Sequence, residues 1–168
     1  MMMHMLLNII GFNLSWFGLI FLEERFTPVV LLWLGGHLYL CQQRAAECKL
    51  ILSVALIGIS VDSTLLFFGV FQFENQAVIP LWLMMLWVAF AATIAHSLNF
   101  LAQSKILQFF IGFIFPPLSY LAGASLTTMT FGFEPSNIYL FLGAIWSVLM
   151  LLFFYLRKKL YCQDKNYA

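Results

Sequence analysis

The sequence predicts an all-α, polytopic transmembrane bundle of about six helices. Two observations carry this. Hydrophobic residues make up 63% of the 168-residue chain and charged residues only 9%, against about 25% charged in an ordinary soluble domain. A globule this small has too much surface to cover with so few charges. The apolar residues also gather in six runs near the length of about 20 residues that a helix needs to cross the hydrocarbon core.

The runs follow in order. The first, 5–22, is stopped by Glu23, Glu24 and Arg25. The second, 26–41, is short and carries Pro28 near its start, where proline is tolerated. It is the weakest of the six, and a re-entrant or deeply buried helix stays open for it. A polar stretch, 42–49, separates it from the third run, 50–71, which ends at the polar residues of 72–76. The fourth, 78–101, closes at Gln103, Ser104 and Lys105, with Trp82 placed as an anchor near its outer end and Trp87 deeper, inside the bundle. The fifth, 106–128, holds Pro116 and Pro117 at its middle and is expected to kink there. The sixth, 135–156, runs into Arg157, Lys158 and Lys159, and 157–168 reads as a short basic cytoplasmic tail on a single transmembrane domain spanning 1–168.

Six crossings put both termini on one side. That side then holds Arg44, Lys49, Lys105, Arg157, Lys158, Lys159 and Lys165, and the other holds only Arg25. Short loops rich in Lys and Arg stay in the cytoplasm, so both termini are expected there. Cys41, Cys48 and Cys162 fall on the same side, where thiols stay reduced, and their spacing fits no metal motif. The start lacks a basic segment and a cleavage site, so the first run is expected to remain as a membrane helix. No basic arm or basic-aromatic stripe marks a nucleic-acid binder. The bilayer is the expected partner.

Few polar groups lie at membrane depth. Asp62, in Gly58-Ile59-Ser60-Val61-Asp62, sits near the middle of the third run. A carboxylate there costs about 2.5–3.5 kcal/mol on insertion scales. It should face the bundle, with Gly58 one turn earlier admitting a neighbouring helix. His96 belongs to a small and polar face with Ala89, Ala92, Thr93 and Asn99. Asp62 and His96 are the catalytic candidates, as proton carriers. Asn13, His37, Asp62, His96 and Tyr120 are the binding candidates. At about 1.5 Å rise per residue, Asn13, Asp62 and Tyr120 share a layer, and His37 and His96 share another. Asp62 and His96 differ in depth by about 10 Å, too far for a direct hydrogen bond. Each group also reads as helix–helix glue. Two histidines and an aspartate are a conceivable metal set, but no spacing fixes their geometry, and the reading is no metal and no cofactor.

The pieces Asn13-Leu14-Ser15-Trp16, Gly58-Ile59-Ser60-Val61-Asp62, Trp82 through Trp87 to Phe90, His96-Ser97-Leu98 and Pro116-Pro117-Leu118-Ser119-Tyr120-Leu121-Ala122-Gly123 resemble a family of small bacterial inner-membrane proteins, domain of unknown function 2878. The resemblance covers about 8–128. It implies an inner-membrane location and, from genes near lipid-modifying enzymes, a part in lipid metabolism. It implies no catalytic residues. Three roles stay open: a non-enzymatic component of membrane-lipid metabolism that partners lipid-modifying enzymes, which is favoured; a membrane-embedded lipid-modifying enzyme; and a small proton-coupled permease. A homo-oligomer also stays open.

Overall fold

A computed structural model describes residues 2–74 and 76–164. Asn75 and Lys165, which entered the loop and charge readings, lie outside the described residues. Among the described residues six α-helices follow one another: α1 (Met2–Leu22), α2 (Thr27–Leu40), α3 (Arg44–Phe67), α4 (Leu81–Ala91), α5 (Lys105–Leu126) and α6 (Pro135–Asp164). The all-α bundle is as expected. Four apolar helical stretches among the described residues have the length and composition to cross a membrane: Met5–Leu40, Arg44–Phe67, Lys105–Leu126 and Pro135–Cys162.

The first stretch is a single helical run folded back on itself. A 3-10 turn, Glu23–Phe26, joins α1 to α2, and Glu23 takes a left-handed φ of +49° that ends α1. The two arms are antiparallel. Gly11 of α1 lies against the Trp33 indole of α2, so close that a Cβ would sit 1.9 Å from it. Counting the arms together gives five helical runs. At about 1.5 Å per residue, the 14 residues of α2 reach about 21 Å, less than the hydrocarbon thickness of about 30 Å.

The fourth run departs most from expectation. Regular helix stops at Ala91, and residues 92–98 are turns leading to a 3-10 segment, Asn99–Gln103. The cause is competition for the backbone. The Thr93 hydroxyl donates to the Phe90 carbonyl at 2.6 Å, as Thr side chains do where they loosen a helix. Asn8 of α1 donates from Nδ2 to the Ala92 carbonyl at 3.0 Å and accepts from the Ser97 N–H at 3.3 Å. The unwound backbone is thus satisfied inside the bundle, the condition under which non-helical chain is tolerated at membrane depth.

Helix ends follow local chemistry. Gly69, at φ +70°, ends α3, with the Val70 N–H on the Leu65 carbonyl and the Gly69 N–H on the Leu66 carbonyl. Ser104 caps α5 by accepting from the Leu107 N–H. Helix α5 continues through Pro116 and Pro117 as one element. Helix α6 continues past Arg157 to Asp164, so most of the expected tail is helix. A two-residue antiparallel ladder, β1 (Phe71–Gln72) with β2 (Thr130–Phe131), ties the α3–α4 loop to the α5–α6 loop. Helices α5 and α6 meet over glycines: a Cβ on Gly112 would lie 2.6 Å from the Trp146 carbonyl, and one on Gly143 would lie 2.9 Å from Phe113.

The outside of the bundle is apolar. Phe67, Leu32 and Ile106 are 83%, 77% and 72% exposed, a surface suited to lipid. Trp82 is a correction: it is buried and packs edge-on against Phe73, 6.2 Å between centroids, instead of anchoring at the interface. Trp87 lies in the core as expected.

Candidate functional site

Two polar constellations hang on one face of α3. Glu47, Leu50, Val54, Gly58 and Asp62 recur at three and four residues, and all are buried. Glu47 and Asp62 therefore stand on the same face, about 22 Å apart along the axis.

The first constellation surrounds Asp62. Gly58 leaves room one turn earlier, and the Trp87 ring occupies it; a Cβ there would lie 2.1 Å from the indole. So placed, Trp87 donates from Nε1 to Asp62 Oδ2 at 2.6 Å. From α5, the Tyr120 hydroxyl lies 2.9 Å from both carboxylate oxygens. Trp87 stacks flat on Trp146 of α6, 4.8 Å between centroids at 4°, and Phe71 stacks on Tyr120 at 5.2 Å. Asp62 is 1% exposed. Its carboxylate thus fixes two aromatic side chains that arrive from two other helices.

Those rings wall a cavity of about 450 Å³. Trp16, Trp82, Trp87, Phe90, Tyr120 and Trp146 line it, with the hydroxyls of Thr93, Ser97 and Ser119 as the sparse polar points. Phe100 and Phe115 also line it and are exposed, so it opens on the apolar outer surface. Trp16 donates to Ser119 Oγ at 2.8 Å, holding α1 to α5 beside the opening. The size and the few polar groups match a ligand pocket. Asp62 is behind the wall, and Asn13 is not its neighbour. Asn13 lines the cavity but spends its amide on the Ile9 carbonyl of its own helix at 2.8 Å.

The second constellation lies at the end of the bundle where α1 begins and α6 ends. His37, near the end of α2, and Glu47, in the first turn of α3, meet across the short loop between them, Nε2 to Oε1 at 2.9 Å. His96, on the unwound segment, brings its Nε2 to 3.4 Å from the same oxygen. The His37 and His96 rings pack edge to face, 4.5 Å between centroids. Tyr161 of α6 donates its hydroxyl to Oε2 of Glu47. Asn8 Nδ2 lies 3.5 Å from His37 Nδ1. Arg44 donates to the Tyr39 carbonyl at 2.8 Å, closing the end of α2 beside the cluster. Cys41, between the helices, is pushed above the ordinary thiol range, first by burial and then by the Glu47 carboxylate.

The structure brings together His37 with His96, and Asp62 with Tyr120. It keeps Asn13 apart from Asp62, and the oxygen that completes the histidine pair comes from Glu47, not Asp62. Sequence reasoning passed over Glu47, Asn8, Tyr161 and the Trp87–Asp62 bond. Glu47 was hidden because 42–49 read as a loop. Extending the Asp62 face backwards by three and four residues would have found it.

Apolar helices long enough to cross a membrane, packed around buried polar groups, define a polytopic membrane protein. Within that class, the chain belongs to the family described as protein of unknown function (DUF2878), whose model matches residues 5–152. No curated protein and no solved structure matches the chain.

Proposed function

We propose that the protein is a non-enzymatic, lipid-binding component of membrane-lipid metabolism. It would reside in a bacterial inner membrane with both termini in the cytoplasm and work beside lipid-modifying enzymes. The observation that carries this reading is the cavity of about 450 Å³, walled by aromatic rings and opening on the apolar outer surface. An acyl chain entering sideways from the bilayer meets matching chemistry there. The saturated, sealed state of Asp62 favours a wall-building role for it over proton transfer. The orientation rests on six described cations at the end where α1 begins and α6 ends, Arg44, Lys49, Lys105, Arg157, Lys158 and Lys159, against Arg25 at the other.

Gly123 offers the test. It lines the cavity, and a Cβ on it would meet only Ile20, at 3.4 Å. Gly123→Leu should fill the space without breaking the bundle. Native mass spectrometry of the wild-type protein should show retained lipid, and the variant should lose it at equal accumulation. Cells lacking the protein should show an altered phospholipid profile that the wild type restores and Gly123→Leu does not. A wild-type protein that retains no lipid, with an unchanged profile on its removal, would sink the reading.

A further inference from the structure

We propose that His37, Glu47 and His96 form a binding site for a divalent metal ion of the zinc class at the end of the bundle where α1 begins and α6 ends. The inference goes beyond the lipid-binding reading and stands on different residues.

Three donor atoms converge. The two imidazole nitrogens and a carboxylate oxygen of Glu47 all lie within 4.8 Å of one another. Two of the separations are 2.9 and 3.4 Å, both to Glu47 Oε1. Ligands about 2.0–2.1 Å from a tetrahedral zinc stand about 3.3–3.4 Å apart, so the observed cluster needs only small side-chain shifts to close on an ion. Two imidazoles and one carboxylate are a zinc donor set with a fourth position left over. Imidazole donors favour zinc and its transition-metal neighbours over magnesium and calcium, which take oxygen.

The hydrogen bonds within the cluster do not satisfy all of its buried polar atoms. The Glu47 side chain is fully buried, at 0% exposure, and a single oxygen of it faces both rings. Nε2 of His96 is buried without a hydrogen-bond partner, although buried polar atoms are normally paired. A cation bound to that lone pair and to Oε1 satisfies both at once. The surroundings suit this. Tyr161 holds Oε2 and leaves Oε1 to the ion. A metal on Nε2 of His37 moves the ring proton to Nδ1, so the loose 3.5 Å contact with Asn8 is given up while the Asn8 bonds to Ala92 and Ser97 stay. Those two bonds hold the segment that carries His96. The His96 side chain is 25% exposed and provides the way in.

The test uses the full chain in detergent with Cys48→Ser and Cys162→Ser, which removes the two exposed thiols as stray ligands. After chelator treatment and dialysis against zinc, elemental analysis should find one zinc per chain. Competition with a chromogenic chelator should show binding weakened on the order of a hundredfold or more by His96→Gln and by Glu47→Gln, since even loss of outer-shell support costs up to about that much. Circular dichroism checks that each variant is folded. If neither is, the X-ray absorption spectrum of the zinc-loaded unsubstituted site decides: imidazole scattering with a nitrogen and oxygen shell supports the site, and a sulfur shell or bulk-like zinc overturns it. No zinc above the detergent blank, or folded variants that bind as tightly as the parent, also overturns it.

Discussion

The Trp87 indole nitrogen lies 2.6 Å from Oδ2 of Asp62, and this bond sets the wall of the cavity. Trp87 is flat against Trp146, and the same carboxylate takes the Tyr120 hydroxyl. Asp62→Asn keeps one acceptor oxygen and puts an amide donor in place of the other, so the carboxylate's full set of accepted bonds from Trp87 and Tyr120 cannot be kept. A buried donor left unsatisfied costs about 1–3 kcal/mol, so a loss of stability of that order is expected. Thermal unfolding in detergent, followed by tryptophan fluorescence, measures it. A variant as stable as the wild type would mean the carboxylate does not hold the rings.

Gly58 makes the Trp87 position available. Its missing side chain is where the indole lies, 2.1 Å from a constructed Cβ. The ring is rigid and stacked on Trp146, so Gly58→Ala should cost about 1–3 kcal/mol by overpacking and perturb the fluorescence of the stacked pair. Gly35→Ala and Gly36→Ala are the contrast. Both glycines lie in α2 with nothing within 4 Å of a Cβ, so both variants should be neutral or gain up to about 1 kcal/mol of helix stability. Equal effects at all three positions would remove the packing argument.

Much of this fold was legible because bilayer solvation acts on long runs of sequence. Apolar segments of membrane length and the one-sided placement of Arg and Lys need no knowledge of contacts. The shared layer of His37 and His96 followed from rise per residue alone. What the sequence hid depends on partners from other helices. Asn8 unwinds 92–98 by taking backbone groups 84 and 89 residues away, and no local pattern announces that. Trp82 was misplaced because an indole near a helix end reads as an interface anchor, whereas Phe73 on the neighbouring loop covers it. Glu47 was missed because charge density near a loop masked the first turns of α3.

Asn8 predicts an effect centred on one segment. Asn8→Ala strands the Ala92 carbonyl and the Ser97 N–H inside the bundle, each at about 1–3 kcal/mol if left unpaired. The segment 92–98 should then open more readily, with faster hydrogen exchange there than in α3 or α6. Exchange in 92–98 matching the wild type would show that the Asn8 side chain does not restrain it.

Cys41 predicts a pH dependence. Burial and the Glu47 carboxylate favour the neutral thiol in the folded protein, so its folded pKa lies above the unfolded one. The corresponding stability is fully present below the ordinary thiol pKa and is lost as pH rises through the raised value. The thiolate is the reactive form. Alkylation of Cys48 and Cys162, both exposed, should therefore be complete under neutral to mildly alkaline conditions that leave Cys41 unmodified. Raising the pH further should bring Cys41 in, together with a fall in thermal stability that Cys41→Ala lacks. Glu47→Gln, which removes the neighbouring negative charge, should shift the Cys41 profile to lower pH. Mass mapping of alkylated peptides reads each step, and a Cys41 profile identical with and without the Glu47 charge would separate the thiol from the histidine cluster.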